Sequence, residues 1–379
     1  MIRPSLPPLR PFLALIAAFL AGCAPRSDTL RIGEYASLTG KEAAFGQSSH
    51  KGTLLAVEEL NAAGGVLGRQ LELITEDNQS KPGESATVVK KLISRDKVVA
   101  LVGEVASPRS LEAAPIAQQA KIPLISPSST NAAVTEIGNY IFRVCFIDPF
   151  QGVVMAKFAR EHLKLNRVAL LTSVSSAYSV GLARYFKEEF VRRGGIVTLE
   201  QKYSEGDKDF KAQLTAVKAA GVQGIFVPGY YTEAALICKQ ARDLGIALPI
   251  FGGDGWEAPQ LMEIGGAAVE GTYYSTHYSP EDQSPAVVAF VNRFKQRWNG
   301  EVPDAMAALG YDSIMILAAA LQRAGGTEGS RLRDALAATQ GHAGVTGVTT
   351  LDAQRNASKA AVVLTVKDGQ FKFVTRIEP

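Results

Sequence analysis

The sequence predicts an α/β chain built as two Rossmann-like lobes joined by about three hinge strands. Short β-branched runs bounded by glycine or proline alternate with helical segments of roughly 10–18 residues, the pattern of βαβ units on a parallel sheet. The pattern restarts near Cys145–Asp148, giving two series of similar length. A mature chain of about 355 residues also exceeds what a single hydrophobic core supports.

The amino terminus stands apart from this pattern. Arg3 and Arg10 form a basic region ahead of the apolar run Phe12–Leu20, which is too short to span a bilayer. The run ends in Leu20-Ala21-Gly22-Cys23, similar to a bacterial lipobox. Residues 1–22 are therefore expected to be a lipoprotein signal peptide, Cys23 the lipidated residue and residues 23–29 a tether. An ordinary signal peptide or a buried hydrophobic helix is the plainer alternative. No later segment reads as long and apolar enough to cross a membrane.

In the first series, strand Leu30–Ala36 leads through the loop Ser37–Phe45 to a helix starting at Gly46 and stopped by Gly64-Gly65. Strand Leu71–Thr75, helix Ser85–Arg95 and the buried strand Val98–Val102 follow. Pro108 suits the first turn of the next helix, which makes Ser107 its expected N-cap and Ala120 its end. Strand Pro123–Ser126 then runs into Pro127-Ser128-Ser129-Thr130, and Ile141–Val144 closes the series. The second series pairs helices near 151–163, 180–193, 209–220 and 232–244 with strands near 168–172, 196–201, 224–227 and 249–252. From Pro280 the chain turns helical (285–298, 304–324, 330–338), and it ends in a hairpin turned by Asp368-Gly369. The late helices are expected on the first lobe and the hairpin on the second. That layout gives lobe one residues 30–145 and 278–360, and lobe two 146–277 and 361–379.

In an open α/β sheet, ligands sit outside the carboxyl ends of the strands. Ser107 and the Ser128–Thr130 cluster both fall at such ends. With the free N–H groups of a helix start they could cradle a small anion such as a carboxylate. Turn and cap chemistry explains either cluster alone; two at adjacent strand ends favour a site.

Composition excludes several classes. Removing Arg3 and Arg10 takes the formal charge from +3 to about +1, with no basic stripe, which argues against nucleic acid. There is no GxSxG elbow, HExxH, P-loop or GxGxxG, and no Cys/His metal spacing, so neither an enzyme nor a metal or cofactor site is expected. His50, His162, His277 and His342 lie far apart and are expected to face solvent. A disulfide between Cys145 and Cys238 stays open to geometry; two buried thiols acting as small apolar side chains are favoured.

Several segments together, in order and spacing, resemble the leucine/isoleucine/valine-type binding proteins of ABC importers across the whole mature chain. They are Ala44-Phe45-Gly46, Asn61 through Arg69, Glu76-Asp77-Asn78, Ile125 through Thr130, Ala177 through Leu182, Gly206 through Phe210, and Gly252-Gly253-Asp254-Gly255. The resemblance implies the type I periplasmic-binding-protein fold, a small-molecule ligand captured by lobe closure, and an ABC permease of the branched-chain amino acid type as partner. It further implies a monomer held at a membrane by lipid on Cys23, outside the cytoplasm. Position by position, Ser107, Ser128 and Thr130 match the groups that bind a ligand carboxylate. Asp254 stands where a glutamate often pairs with the ammonium. Phe45, Tyr178 and Tyr230 match covering aromatics, and Met306, Tyr273 and Trp256 are weaker candidates for the side-chain pocket.

Two departures bear on the ligand. Asp254 is one methylene shorter than glutamate, and Trp256 either shrinks the pocket or offers it an aromatic wall. An aliphatic amino acid is the expected ligand; urea, a short amide or an aromatic acid, or a sensing role, are the alternatives.

Overall fold

The computed structural model describes Met1 and residues 29–379, so the expected signal peptide beyond Met1, and Cys23, lie outside the described residues. The first sheet contains β1 (Leu30–Ala36), β2 (Leu71–Asp77), β3 (Ala100–Val102), β4 (Leu124–Ser126) and β5 (Ile141–Arg143). They are parallel and ordered β2-β1-β3-β4-β5. The second sheet begins with β6 (Arg167–Ser173), β7 (Ile196–Tyr203), β8 (Gly224–Val227), β9 (Ile250–Gly252) and β10 (Tyr273–Thr276). A small antiparallel sheet of β11 (His342–Gly344), β12 (Gly347–Leu351) and β13 (Ala357–Ser358) follows. The closing hairpin, β14 (Ala361–Lys367) and β15 (Gln370–Ile377), adds antiparallel to β10, so the second sheet runs β15-β14-β10-β9-β8-β6-β7.

β3 and β4 are buried along their whole length, because helices cover both faces of a parallel sheet. Asp368 and Gly369 both have positive φ, as a two-residue hairpin turn with the right twist requires. β10 and the small sheet carry no apolar run of their own. Tyr273–Thr276 becomes a strand only because it is clasped between β9 and β14.

Helices Pro285–Arg297 and Ala305–Ala324 return to the first sheet, where Phe290, Leu309 and Ile316 share one buried cluster with Leu55 and Val57. Ala305–Ala324 corrects the expectation that no late segment could span a membrane. An 18-residue window of this 20-residue helix has a mean hydropathy of 1.4, long and apolar enough to qualify, and 83% of that window is buried inside the protein. It is a core helix, started by the Asp304 side chain accepting from the Ala307 N–H at 3.0 Å and ended by Gly325 at φ 64°. It packs very close to helix Ala43–Ala62: a Cβ at Gly52 would lie 1.8 Å from the Ala307 carbonyl oxygen. That approach brings Met306 to the region between the sheets.

The chain passes between the sheets at residues 144–147, 277–284 and 359–360. Cys145 and Cys238 are free and buried, and burial pushes each thiol up to about 12.

Candidate functional site

The carboxyl ends of the two parallel sheets face one another, and the loops leaving them supply the site. From the first sheet, the loop after β1 opens helix Ala43–Ala62, with Phe45 in its first turn. Phe45 is seated there because Gly46 lies against the turn after β1; a Cβ would meet the Ser37 carbonyl oxygen at 2.1 Å. The loop after β3 delivers Ser107 and the turn after β4 delivers Ser128–Thr130. From the second sheet, Tyr178 opens the helix after β6, Tyr230 immediately precedes the helix after β8, and Asp254 opens the turn after β9.

Phe45, Ser107, Ser128, Thr130, Tyr178, Tyr230 and Asp254 border one narrow cavity between the sheets, together with Val105, Gly255 and Met306. Every one of these seven side chains is buried. The Tyr178 and Tyr230 rings stack at 5.2 Å and 5°, and Phe45 meets Tyr230 edge-on at 5.5 Å and 77°, so the cavity has an aromatic wall. Two larger depressions, one around Arg333 and one around His162, open on the surface away from the cleft.

At the first-sheet end the groups are donors. Ser107 opens the helix, but Ala106 is its N-cap residue and the Ser107 hydroxyl makes no cap bond. Its Oγ instead accepts from the Asn131 N–H at 3.2 Å, which leaves the hydroxyl proton for another acceptor. This corrects the expectation that Ser107 caps the helix: its side chain is turned across to the neighbouring loop. Behind the cavity, Ser126 and Ser129 donate to the Glu104 carbonyl at 2.7 and 2.9 Å, binding the two donor-bearing turns together. The Glu104 carboxylate accepts from the Ser37 and Ala106 N–H groups at 2.7 and 2.5 Å. Arg143, wholly buried, donates to the Ser129 carbonyl at 2.5 Å.

At the second-sheet end the feature is a carboxylate. Asp254 Oδ1 accepts from Gln151 Nε2 at 2.7 Å and from the Tyr178 hydroxyl at 2.9 Å; Oδ2 lies 3.1 Å from His277 Nε2. Burial, reinforced by the Asp254 charge, pushes the Tyr178 phenol well above its ordinary range, so it stays a neutral donor. A carboxylate has about four acceptor positions, so Asp254 keeps capacity for a further donor from the cavity. Asp148 is also buried nearby, with both oxygens lacking a geometric hydrogen-bond partner. Burial and the Asp254 charge raise its pKa well above the carboxylate range, which favours the neutral acid.

Three sequence expectations are corrected here. His277 does not face solvent: its side chain is fully buried against Asp254, because the chain leaves β10 directly beneath the cavity. Trp256 neither shrinks nor walls the pocket. It turns into the second-sheet core, where its indole N–H donates to the Val227 carbonyl at 2.9 Å. Tyr273 lies on β10 against Phe158 and His162, away from the cavity. Of the other histidines, His162 is exposed, while His50 is half-buried beside Glu34 at 2.5 Å and His342 is half-buried. Gln151, His277, Asn131 and Ser126 are the supporting residues that sequence reasoning passed over, whereas Ser129 lay inside the expected Ser128–Thr130 cluster. The one signal available for them was the closeness of Ser126 to that cluster.

The model of the periplasmic binding protein family matches residues 29–370. The leucine-, isoleucine-, valine-, threonine- and alanine-binding protein of Pseudomonas aeruginosa is 31% identical over 330 residues, covering 87% of each chain. Among solved structures, a leucine-binding protein LivK from Thermotoga maritima superposes with a TM-score of 0.89 at 40% identity, covering 93% of this chain and 99% of that one. LivJ from Streptococcus pneumoniae, a branched-chain amino acid transporter substrate-binding protein solved with isoleucine, gives 0.88 at 36% identity, covering 93% and 100%. A two-lobed α/β chain with facing strand ends, matched over nearly its whole length by such relatives, is a binding protein and not an enzyme: it belongs to the periplasmic binding protein family, among the leucine/isoleucine/valine-type substrate-binding proteins of ABC transporters.

Proposed function

We propose that this protein captures an amino-acid zwitterion, with a small aliphatic side chain, between its lobes outside the cytoplasm and delivers it to an ABC import permease. In this reading Ser107, Ser128 and Thr130 donate to the ligand carboxylate. Asp254 accepts from its ammonium, while Phe45, Tyr178 and Tyr230 close over the side chain. The observation that carries it is the polarity of one cavity, with hydroxyl donors on the first-sheet side and a buried carboxylate on the second. Burying either charge of a zwitterion without a partner is costly, and this arrangement offers each end its complement. A ligand gripped from both sheets binds the closed form selectively, which is what ligand-driven closure requires. The names of relatives such as the isoleucine-bound LivJ support the same ligand class.

The proposal includes lobes of residues 30–145 with 278–360 and 146–277 with 361–379, a monomer, and an anchor lipid on Cys23. Urea, an aromatic acid or a short amide would present no ammonium to Asp254, so the amino acid is preferred. The test is a thermal-shift panel of aliphatic amino acids, amides and aromatic acids on the chain lacking residues 1–22. A ligand at 100 times its Kd adds about 2.7 kcal/mol to stability. Leucine, isoleucine or valine should raise the melting temperature; a rise with benzoate or urea alone would overturn the assignment.

A further inference from the structure

His277 has no role in the function proposed above, yet it touches both ends of the cavity. It follows β10 on the stretch 277–284 between the sheets, and its side chain is wholly buried. The ring stacks on Phe146 with centroids 3.8 Å apart and planes at 29°. Phe146 lies on the stretch 144–147, so two of the three connections between the sheets meet at this stack. Nε2 lies 3.1 Å from Asp254 Oδ2 and 3.4 Å from Ser128 Oγ, while Nδ1 is buried without a hydrogen-bond partner.

These contacts determine the protonation of the ring. An ionised carboxylate only accepts, so the Nε2 facing Asp254 carries a proton. A second proton on Nδ1 would be a buried donor with nothing to receive it, a configuration that proteins avoid. The ring is therefore the neutral Nε2–H tautomer. The charged groups bearing on it are Asp254, from the turn after β9, which favours the imidazolium, and Lys359, from the stretch 359–360, which opposes it. Burial outweighs both and lowers the imidazole pKa. A neutral ring leaves Asp254 its full negative charge; an imidazolium would cancel that charge where the ligand ammonium must sit.

We propose that His277 is a positioning residue for amino-acid recognition, a neutral Nε2–H donor that aims Asp254 at the ligand ammonium and links that contact to the connections between the lobes. The inference rests on the proposed role of Asp254. It is a specificity device as well: a ligand without an ammonium gains nothing from an aimed, unneutralised Asp254.

The test compares the parent, His277→Gln and His277→Leu by isothermal titration with L-leucine at about pH 7.5, above the ordinary histidine value. Glutamine keeps an N–H donor near the Nε2 position but does not titrate. His277→Gln, which restores the donor, should bind within about threefold of the parent, and His277→Leu should be weaker by about tenfold or more. Long-range nitrogen–proton correlation spectra of the ligand-free parent should show the His277 ring as the neutral Nε2–H form at pH 7.5, a readout that survives if His277→Leu does not fold. Parental binding by His277→Leu, no rescue by His277→Gln, or an Nδ1–H ring would overturn the inference while the amino-acid assignment stands. A parent that ignores every amino acid would instead overturn that assignment, and the inference with it.

Discussion

The phenol of Tyr231, on the second-sheet side of the cleft, donates to the carbonyl oxygen of Lys41, on the first-sheet side, at 2.7 Å. The same phenol oxygen accepts from the Ala44 N–H at 3.4 Å, and the Lys41 ammonium pairs with Glu205 at 2.6 Å. Phe45 packs edge-on against the Tyr231 ring at 4.9 Å. These contacts join the lobes at the mouth of the cavity, and Tyr231 and Glu205 stand outside its lining, so they stabilise closure without reading the ligand.

The double variant Tyr231→Phe, Glu205→Gln should therefore weaken binding by about 5- to 30-fold, from roughly 1–2 kcal/mol of lost hydrogen bonding and ion pairing. Because the loss falls on the closed state and not on ligand contacts, all ligands should weaken by the same factor, mainly through faster release. Stopped-flow and titration measurements on two amino acids check this; a changed affinity ratio between them would refute it.

Asp254→Asn should reduce amino-acid affinity by about 30-fold or more, since removing one member of a buried charge pair costs roughly 2–5 kcal/mol. The ligand-free fold should persist, because Asp254 sits on a turn held by backbone bonds from Gly253 to Trp256 and from Asp254 to Glu257. Isothermal titration and a thermal melt separate the two effects. Parental affinity would mean that the ammonium is held elsewhere.

Glu257 predicts a stability that depends on pH. Its carboxyl accepts from the Ala305 N–H at 3.0 Å and from the Thr276 hydroxyl, linking the second sheet to the start of helix Ala305–Ala324. Burial, with the nearby Asp304 carboxyl adding to it, pushes Glu257 up to about 8. A carboxyl whose folded pKa lies above its unfolded value contributes stability that is fully present below the ordinary 4.5 and is lost as pH rises through about 8. Glu257→Gln should remove that loss and raise the melting temperature at about pH 8 relative to the parent, by about 2–4 °C for each kcal/mol recovered. At about pH 5 the two proteins should melt together; equal melting at both values would show Glu257 to be ionised without penalty.

Cys23→Ser should free the protein from membranes in a detergent-partitioning experiment, because one charge-free serine cannot replace an acyl anchor worth about 0.8 kcal/mol per buried CH₂. Continued partitioning into detergent would rule out lipid attachment at this residue.

The sequence by itself determined the strand–helix alternation, because buried parallel strands read as β-branched runs and helices stop at glycine. β1 and β8 match their expected limits, whereas helix Ala43–Ala62 starts three residues before Gly46, since a helix start without a side-chain cap leaves little local signature. It also offered seven candidate residues that prove to border one cavity: Ser107, Ser128 and Thr130 through hydroxyls at strand ends, and Phe45, Tyr178, Tyr230 and Asp254 through the family resemblance. What only the tertiary structure decided is the environment behind them. His277 is 23 positions from Asp254 and 149 from Ser128, and nothing along the chain marks it as their neighbour. Trp256 is two residues from Asp254 yet points into the core. The turn Asp254–Trp256 sends these two side chains to opposite sides, and the bond from the Trp256 indole to the Val227 carbonyl on β8 holds its ring in the core.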